Sequence, residues 1–112
     1  SATVLVSVGS TQFDELVATV QSHVFLKRMS GALGEGVRVL VQHGKSPVDL
    51  SRTRTDVVLG TPCRTYEACG AVVSLFDYVP SLDAFLNAAT VVVAHAGVCI
   101  VARNAGAGTL LE

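Results

Sequence analysis

Four short runs of β-branched and aliphatic residues constrain this chain more than any other feature: residues 3–8 (TVLVSV), 37–42 (VRVLVQ), 71–76 (AVVSLF) and 90–94 (TVVVA). They are near-continuously apolar rather than alternating, the pattern of strands buried on both faces. Between the first two lies a segment whose apolar residues Phe13, Leu16, Val17, Val20 and Val24 fall at spacings of three, four and seven, one face of a helix. Thr11, with Asp14 three positions on, resembles a capping box at its start, and Gly31, Gly34 and Gly36 end it. Between the last two strands, Pro80-Ser81 opens a short helix through Asn87, with Ser81 as its cap. Buried strands separated by helices predict an α/β fold: a Rossmann-like parallel sheet with helices on both faces. Ligands of such a sheet sit at the carboxyl ends of its strands.

Other stretches are less determinate. Residues 45–55 are polar and irregular, a surface loop. Within 56–70, residues 57–59 fit a short strand, and the remainder fits either loop or one helical turn. Residues 91–97 (VVVAHAG) are echoed by 99–106 (CIVARNAG), with Arg103 as an extra residue, which reads as a duplicated strand end or an insertion.

At 112 residues, 1–112 is expected to be one Rossmann-like domain, long enough to bury roughly two-thirds of its unfolded surface. Half of the residues are hydrophobic and tryptophan is absent, so the core rests on Val, Ala and Leu. The net charge is -1 and the basic residues (Lys27, Arg28, Arg38, Lys45, Arg52, Arg54, Arg64, Arg103) form no stripe, which argues against a nucleic-acid partner. The longest apolar run, 98–102, is far short of a bilayer span, and no secretory signal is visible. Direct membrane insertion is therefore not expected. Cys63, Cys69 and Cys99 are odd in number and form no C-x-x-C pair, as in a cytosolic protein with reduced thiols. His23, His43 and His95 lack metal-ligand spacing, so no metal site is expected, and His23 and His43 receive no role.

Two strand-to-glycine junctions carry candidate chemistry. At Gly9-Ser10-Thr11, glycine permits close approach of a phosphate, and the helix start supplies free N–H groups beside two hydroxyls. A plain turn with a helix cap fits the same residues equally well, and Asp14 and Glu15 in the first turn would repel an anion. The second junction runs from His95 to Glu112. Its tail (NAGAGTLLE) ends a strand-like run and opens a helix. Backbone N–H groups near Gly106 and Gly108, with the Thr109 hydroxyl, suit a diphosphate, and Glu112 suits ribose hydroxyls. A Gly/Ala-rich turn selected for close helix–sheet packing is the alternative. His95 at a strand end would donate a hydrogen bond to a phosphate, more strongly when protonated.

The blocks VSVGSTQFDELV, VLVQHGKS, LFDYVPSL and VVVAHAG resemble the glycosyltransferase family 28 C-terminal domain, in the same order and with similar spacing over nearly the whole chain. The resemblance implies the C-terminal, nucleotide-sugar-binding half of a GT-B glycosyltransferase. It is closest to the family's single-domain eukaryotic branch, whose donor-binding subunit pairs with a membrane-anchored, acceptor-binding partner subunit. It implies transfer of N-acetylglucosamine from UDP-N-acetylglucosamine to N-acetylglucosaminyl-diphosphodolichol in N-glycan precursor synthesis. The setting it implies is cytoplasmic, at the cytosolic face of the endoplasmic reticulum, with no cofactor. By the same resemblance Gly9, Ser10 and Thr11 form the first phosphate-facing loop. His95, Ala96 and Gly97 begin the H-A-G-x-G-[ST] loop facing the UDP diphosphate. Thr109 and Glu112 match that motif's hydroxyl and ribose-binding carboxylate. The base belongs to the acceptor half, so no catalytic residue is expected here.

The chain departs from the family pattern at one point. Counted from His95, the hydroxyl position holds Ile100 and the carboxylate position Arg103; counted from Asn104 the spacing fits, but the histidine is asparagine. Removing 98–106 restores H-A-G-A-G-T-L-L-E, so these residues read as an insertion, unless 99–102 is a native strand. The sequence also ends at Glu112, where the family continues with a strand and an N-x-L-M-D-N-H-Q-like segment, so the domain reads as truncated at its C-terminus. An open edge left there invites pairing, and hence a possible homodimer. A truncated, non-catalytic variant that acts as an interaction module for the partner subunit is the competing expectation.

Overall fold

The computed structural model of the chain describes residues 2–8, 13–77, 79–94, 97–102 and 108–111. Its described strands form one sheet. β1 (Thr3–Ser7), β2 (Val37–Gln42), β5 (Ala71–Phe76) and β6 (Val91–Ala94) are the four anticipated strands, and they lie side by side and parallel in the order β5-β2-β1-β6. The α/β expectation holds in this parallel centre. Both flanks are antiparallel: β3 (Arg54–Val58) and β4 (Thr61–Ala68) extend it beyond β5, and β7 (Gly97–Ala102) and β8 (Gly108–Leu111) extend it beyond β6.

Alternation along each central strand divides the core in two. Val4, Val6, Val37, Val39, Val41, Ala71, Val73 and Leu75 face α1 (Asp14–Thr19) and α2 (His23–Leu33), joined by Val20 directly after α1 and by Leu26 of α2. Leu5, Leu40, Phe76 and Val92 face the other way, toward Phe85 of α3 (Asp83–Ala88) and Val58 and Cys63 of the β3–β4 hairpin. Phe76 stacks on Phe85 with ring centroids 4.8 Å apart, which pins α3 beside the carboxyl end of β5.

The single helix expected between β1 and β2 is two. Gln21 Nε2 donates to the carbonyl of Val17, and Ser22 caps α2 by accepting from Phe25 N at 3.2 Å. Two polar side chains thus take up backbone groups and stop α1. Gly31 lies inside α2, and Gly34 ends it at φ +106. Phe13, not Thr11, is the N-cap of α1, with no side-chain cap bond; Thr11 itself lies outside the described residues. Ser81 acts at α3 by accepting from Asp83 N at 3.2 Å, although Leu82 is the formal cap.

Residues 56–70 hold no helical turn. They supply most of β3 and β4, joined by a tight turn with Leu59 at φ +51 and Gly60 at φ +80. The expected helix opening at Gly108 and Thr109 is strand β8, paired to β7, and β7 pairs with β6 from Ala94↔Gly97 to Val91↔Ile100. The run Val98-Cys99-Ile100-Val101 is rich in β-branched residues and finds a partner on each side, so strand pairing prevails over helix formation.

Candidate functional site

The order β5-β2-β1-β6 reverses direction at β1: from β1 the chain moves through α1 and α2 to β2 on one side, and β6 takes the other side. This is a topological switch point, and in open α/β sheets the ligand crevice lies outside the carboxyl ends of the two strands that flank it. Here those ends are Ser7 and Ala94, which are register partners. Gly9-Ser10-Thr11 follows the first in sequence, and His95-Ala96 the second.

Of the sequence-derived candidates, Gly9, Ser10, Thr11, His95, Ala96, Gly106 and Glu112 lie outside the described residues. Gly97 opens β7 opposite Ala94, and Gly108 and Thr109 stand in β8 opposite Ala102 and Val101. Gly97 is thus adjacent to the switch point. Gly108 and Thr109 reach the sheet through β7 instead of leading a helix.

The same carboxyl edge is fixed by polar contacts that the sequence did not reveal. Ser7 Oγ donates to Gln42 Oε1 at 2.6 Å, and Val8 N to the Gln42 carbonyl at 3.2 Å, joining the ends of β1 and β2. Gln42 is buried on the face shared with Leu40, so this bond partners a group that water does not reach. Beyond it, Ser46 N donates to the His43 carbonyl at 2.9 Å, closing a turn in which Gly44 takes φ +58. The buried Ser46 hydroxyl accepts from Phe13 N at 2.8 Å, so the start of α1 is tied to the loop after β2. Lys45 is left exposed on this turn.

A cleft of about 370 Å³ opens beside that turn, between the carboxyl ends of β2 and β5 and the hairpin, lined by His43, Cys63, Arg64, Phe76 and Asp77. His43 and Arg64 are anchored in its wall. His43 N donates to the Phe76 carbonyl at 3.0 Å. Arg64 donates from Nε to Thr53 Oγ1 at 2.9 Å and from Nη1 to Thr55 Oγ1 at 3.2 Å. His43 Nδ1 is buried without a hydrogen-bond partner among the described residues. Such an atom carries a desolvation penalty of about 1–3 kcal/mol until something bonds it. Burial pushes the Cys63 thiol above its ordinary pKa, so it lines the wall as a neutral thiol and not as a nucleophile. Nothing in the sequence gives His43 a role. Its signal, a histidine and glycine directly after a buried strand, gains meaning only when β5 and β4 are known to lie alongside.

Cys63 and Cys69 are free thiols. Among the described residues no group of three or more His, Cys, Asp or Glu is placed to hold a metal ion, and no helix is long and apolar enough to cross a membrane.

A parallel centre with its switch point at β1 and β6, and helices on both faces, defines a Rossmann-like domain of the kind found in GT-B enzymes. The chain belongs to the glycosyltransferase family 28 C-terminal domain family, which it matches over residues 3–112. Its class is therefore glycosyltransferase, with a donor-binding role, as the four sequence blocks implied. No curated protein and no solved structure gives a significant match.

Proposed function

We propose that this chain is the donor-binding subunit of an N-acetylglucosaminyltransferase. It moves N-acetylglucosamine from UDP-N-acetylglucosamine to N-acetylglucosaminyl-diphosphodolichol, and a membrane-anchored partner subunit supplies the acceptor site and the base at the cytosolic face of the endoplasmic reticulum. The observation that carries this reading is the switch point, because the two segments that resemble the family's phosphate loops follow the strands flanking it, β1 and β6. Gly9, Ser10 and Thr11 would meet the diphosphate from one side, and His95, Ala96 and Gly97 from the other, with backbone N–H groups as donors. Glu112 would accept from the ribose, whereas Thr109, opposite Val101 in β8, lies toward the amino edge and is left out of this site. The test is transfer of labelled N-acetylglucosamine to a dolichol-type acceptor: turnover with the partner present and none with the purified chain alone. Turnover by the chain alone would remove the division of labour between the subunits.

A second reading is favoured by one specific feature. β7 and β8 occupy the stretch where the family's H-A-G loop would lead into a helix. Under it the chain retains the fold and the partner surface but not the donor, and serves as a non-catalytic interaction module. The two readings part on whether UDP-N-acetylglucosamine binds at all.

A further inference from the structure

The turn between β3 and β4 combines backbone strain with an exposed apolar tip. Leu59 sits at φ +51, a left-handed conformation that glycine adopts freely, asparagine and aspartate tolerate, and leucine resists. Leu59 is also 50% exposed, and Val57 67%. Asn-Gly would make the same two-residue turn without strain and without an apolar tip. The β4–β5 turn has matching geometry, with Cys69 at φ +53 and Gly70 at φ +78, but it is held from α2, where Ser30 Oγ donates to the Cys69 carbonyl at 2.9 Å. Leu59 instead borders a groove of about 310 Å³ lined by Arg38, Leu40, Val57 and Ala88. Arg38 is the charged residue of that lining. Among the described residues the one ion pair is Arg54–Glu67, so Arg38 has no carboxylate partner there.

We infer that this groove docks a segment of a partner polypeptide, with an aliphatic or aromatic side chain against Val57 and Leu59 and a carboxylate against Arg38. A half-exposed leucine sharing a groove with an arginine that forms no ion pair among the described residues matches one acidic side chain flanked by apolar ones. A lipid surface would call for a cluster of cations instead. Strand addition along β3, the sheet edge, is blunted: Asp56 Oδ1 accepts from Val57 N at 2.8 Å, and the Arg54–Glu67 pair flanks the same strand. Recognition therefore runs through side chains in the groove. Thr3 and Arg38, both lining it, are register partners at the start of β1 and β2, opposite the carboxyl edge. A segment docked there leaves that edge open, and this inference stands whether or not the donor reading does.

The test is selection of a displayed library of short random peptides on the full chain, with Leu59→Asn and Arg38→Glu chains as comparators. Leu59→Asn is expected to melt at or above the parent, since the turn strain is relieved. Enriched peptides should pair an acidic residue with aliphatic or aromatic ones, and should lose about tenfold or more in affinity for either variant. Three results would overturn the inference: no peptide that prefers the parent, enriched peptides without acidic residues, or a lower melting temperature for Leu59→Asn. A parent chain that is dimeric in sedimentation and becomes monomeric on Leu59→Asn would also overturn it, by naming a second copy as the occupant.

Discussion

Ser7 Oγ donates to Gln42 Oε1 at 2.6 Å, and this bond holds the carboxyl ends of β1 and β2 together directly below the edge where the proposed donor site begins. Gln42 is 2% exposed, so its amide oxygen has no ready substitute for the hydroxyl. Ser7→Ala is expected to lower unfolding stability by about 1–2 kcal/mol, the effect of leaving a buried polar group short of a partner. Denaturant unfolding measures it, and an unchanged midpoint would show that the bond contributes nothing.

Gly44 takes φ +58 in the turn closed by Ser46 N and the His43 carbonyl. Alanine there would force a Cβ into the left-handed region, at about 1–2 kcal/mol. Gly44→Ala should lose that much stability and loosen the loop that Ser46 ties to Phe13. Gly31, inside α2 with open space around its Cβ position, is the contrast: Gly31→Ala should hold or raise stability.

Phe85 is 1% exposed and stacks on Phe76. Phe85→Ala should cost about 3–5 kcal/mol, as large cavities in a core do, and should detach α3 from the sheet. Circular dichroism with thermal melting reads both effects.

Tyr66 reports on alkaline stability. Its hydroxyl donates to Gln21 Oε1 at 2.8 Å, joining β4 to the end of α1, and burial raises its pKa. A pKa raised on folding adds stability that is complete below the unfolded value, about 10 for tyrosine, and is lost as pH rises through the folded value. Unfolding stability should therefore fall with pH in that alkaline range. Tyr66→Phe should start lower, without the hydrogen bond, and show a shallower fall. Parallel pH profiles for the two chains would contradict the assignment.

The deletion of 98–106 separates two views of that stretch. As an insertion, its removal restores the family spacing from His95 to Glu112. The structure instead places most of it in β7, between β6 and β8, so deletion should unfold this flank and lower stability by several kcal/mol. A deleted chain as stable as the parent would return the segment to the status of an insertion.

The parallel centre was legible because its strands are buried on both faces, and continuous apolar runs report that directly. The β3–β4 hairpin was not, since its turn is Leu59-Gly60 and the usual Asn-Gly or Asp-Gly signal is absent. The break at Gln21 and Ser22 was hidden because the apolar spacing continues across it, while side-chain bonds to the backbone decide where α1 stops. At the site, the glycine-containing loops could be located from their place after buried strands. The pairing of Ser7 with Gln42 and the approach of His43 to Phe76 join residues more than thirty positions apart, and no local pattern encodes them.

The central claim is that this chain binds a UDP-sugar at the carboxyl edge beside β1 and β6. Calorimetric titration of UDP-N-acetylglucosamine into the purified chain tests it most directly. Saturable binding at one site, displaced by UDP, is the predicted result, with Glu112→Ala weakening it by about tenfold or more, as loss of a charged hydrogen bond to ribose would. Absence of binding heat from a chain that melts cooperatively would contradict the donor-binding account and leave the interaction-module reading in its place.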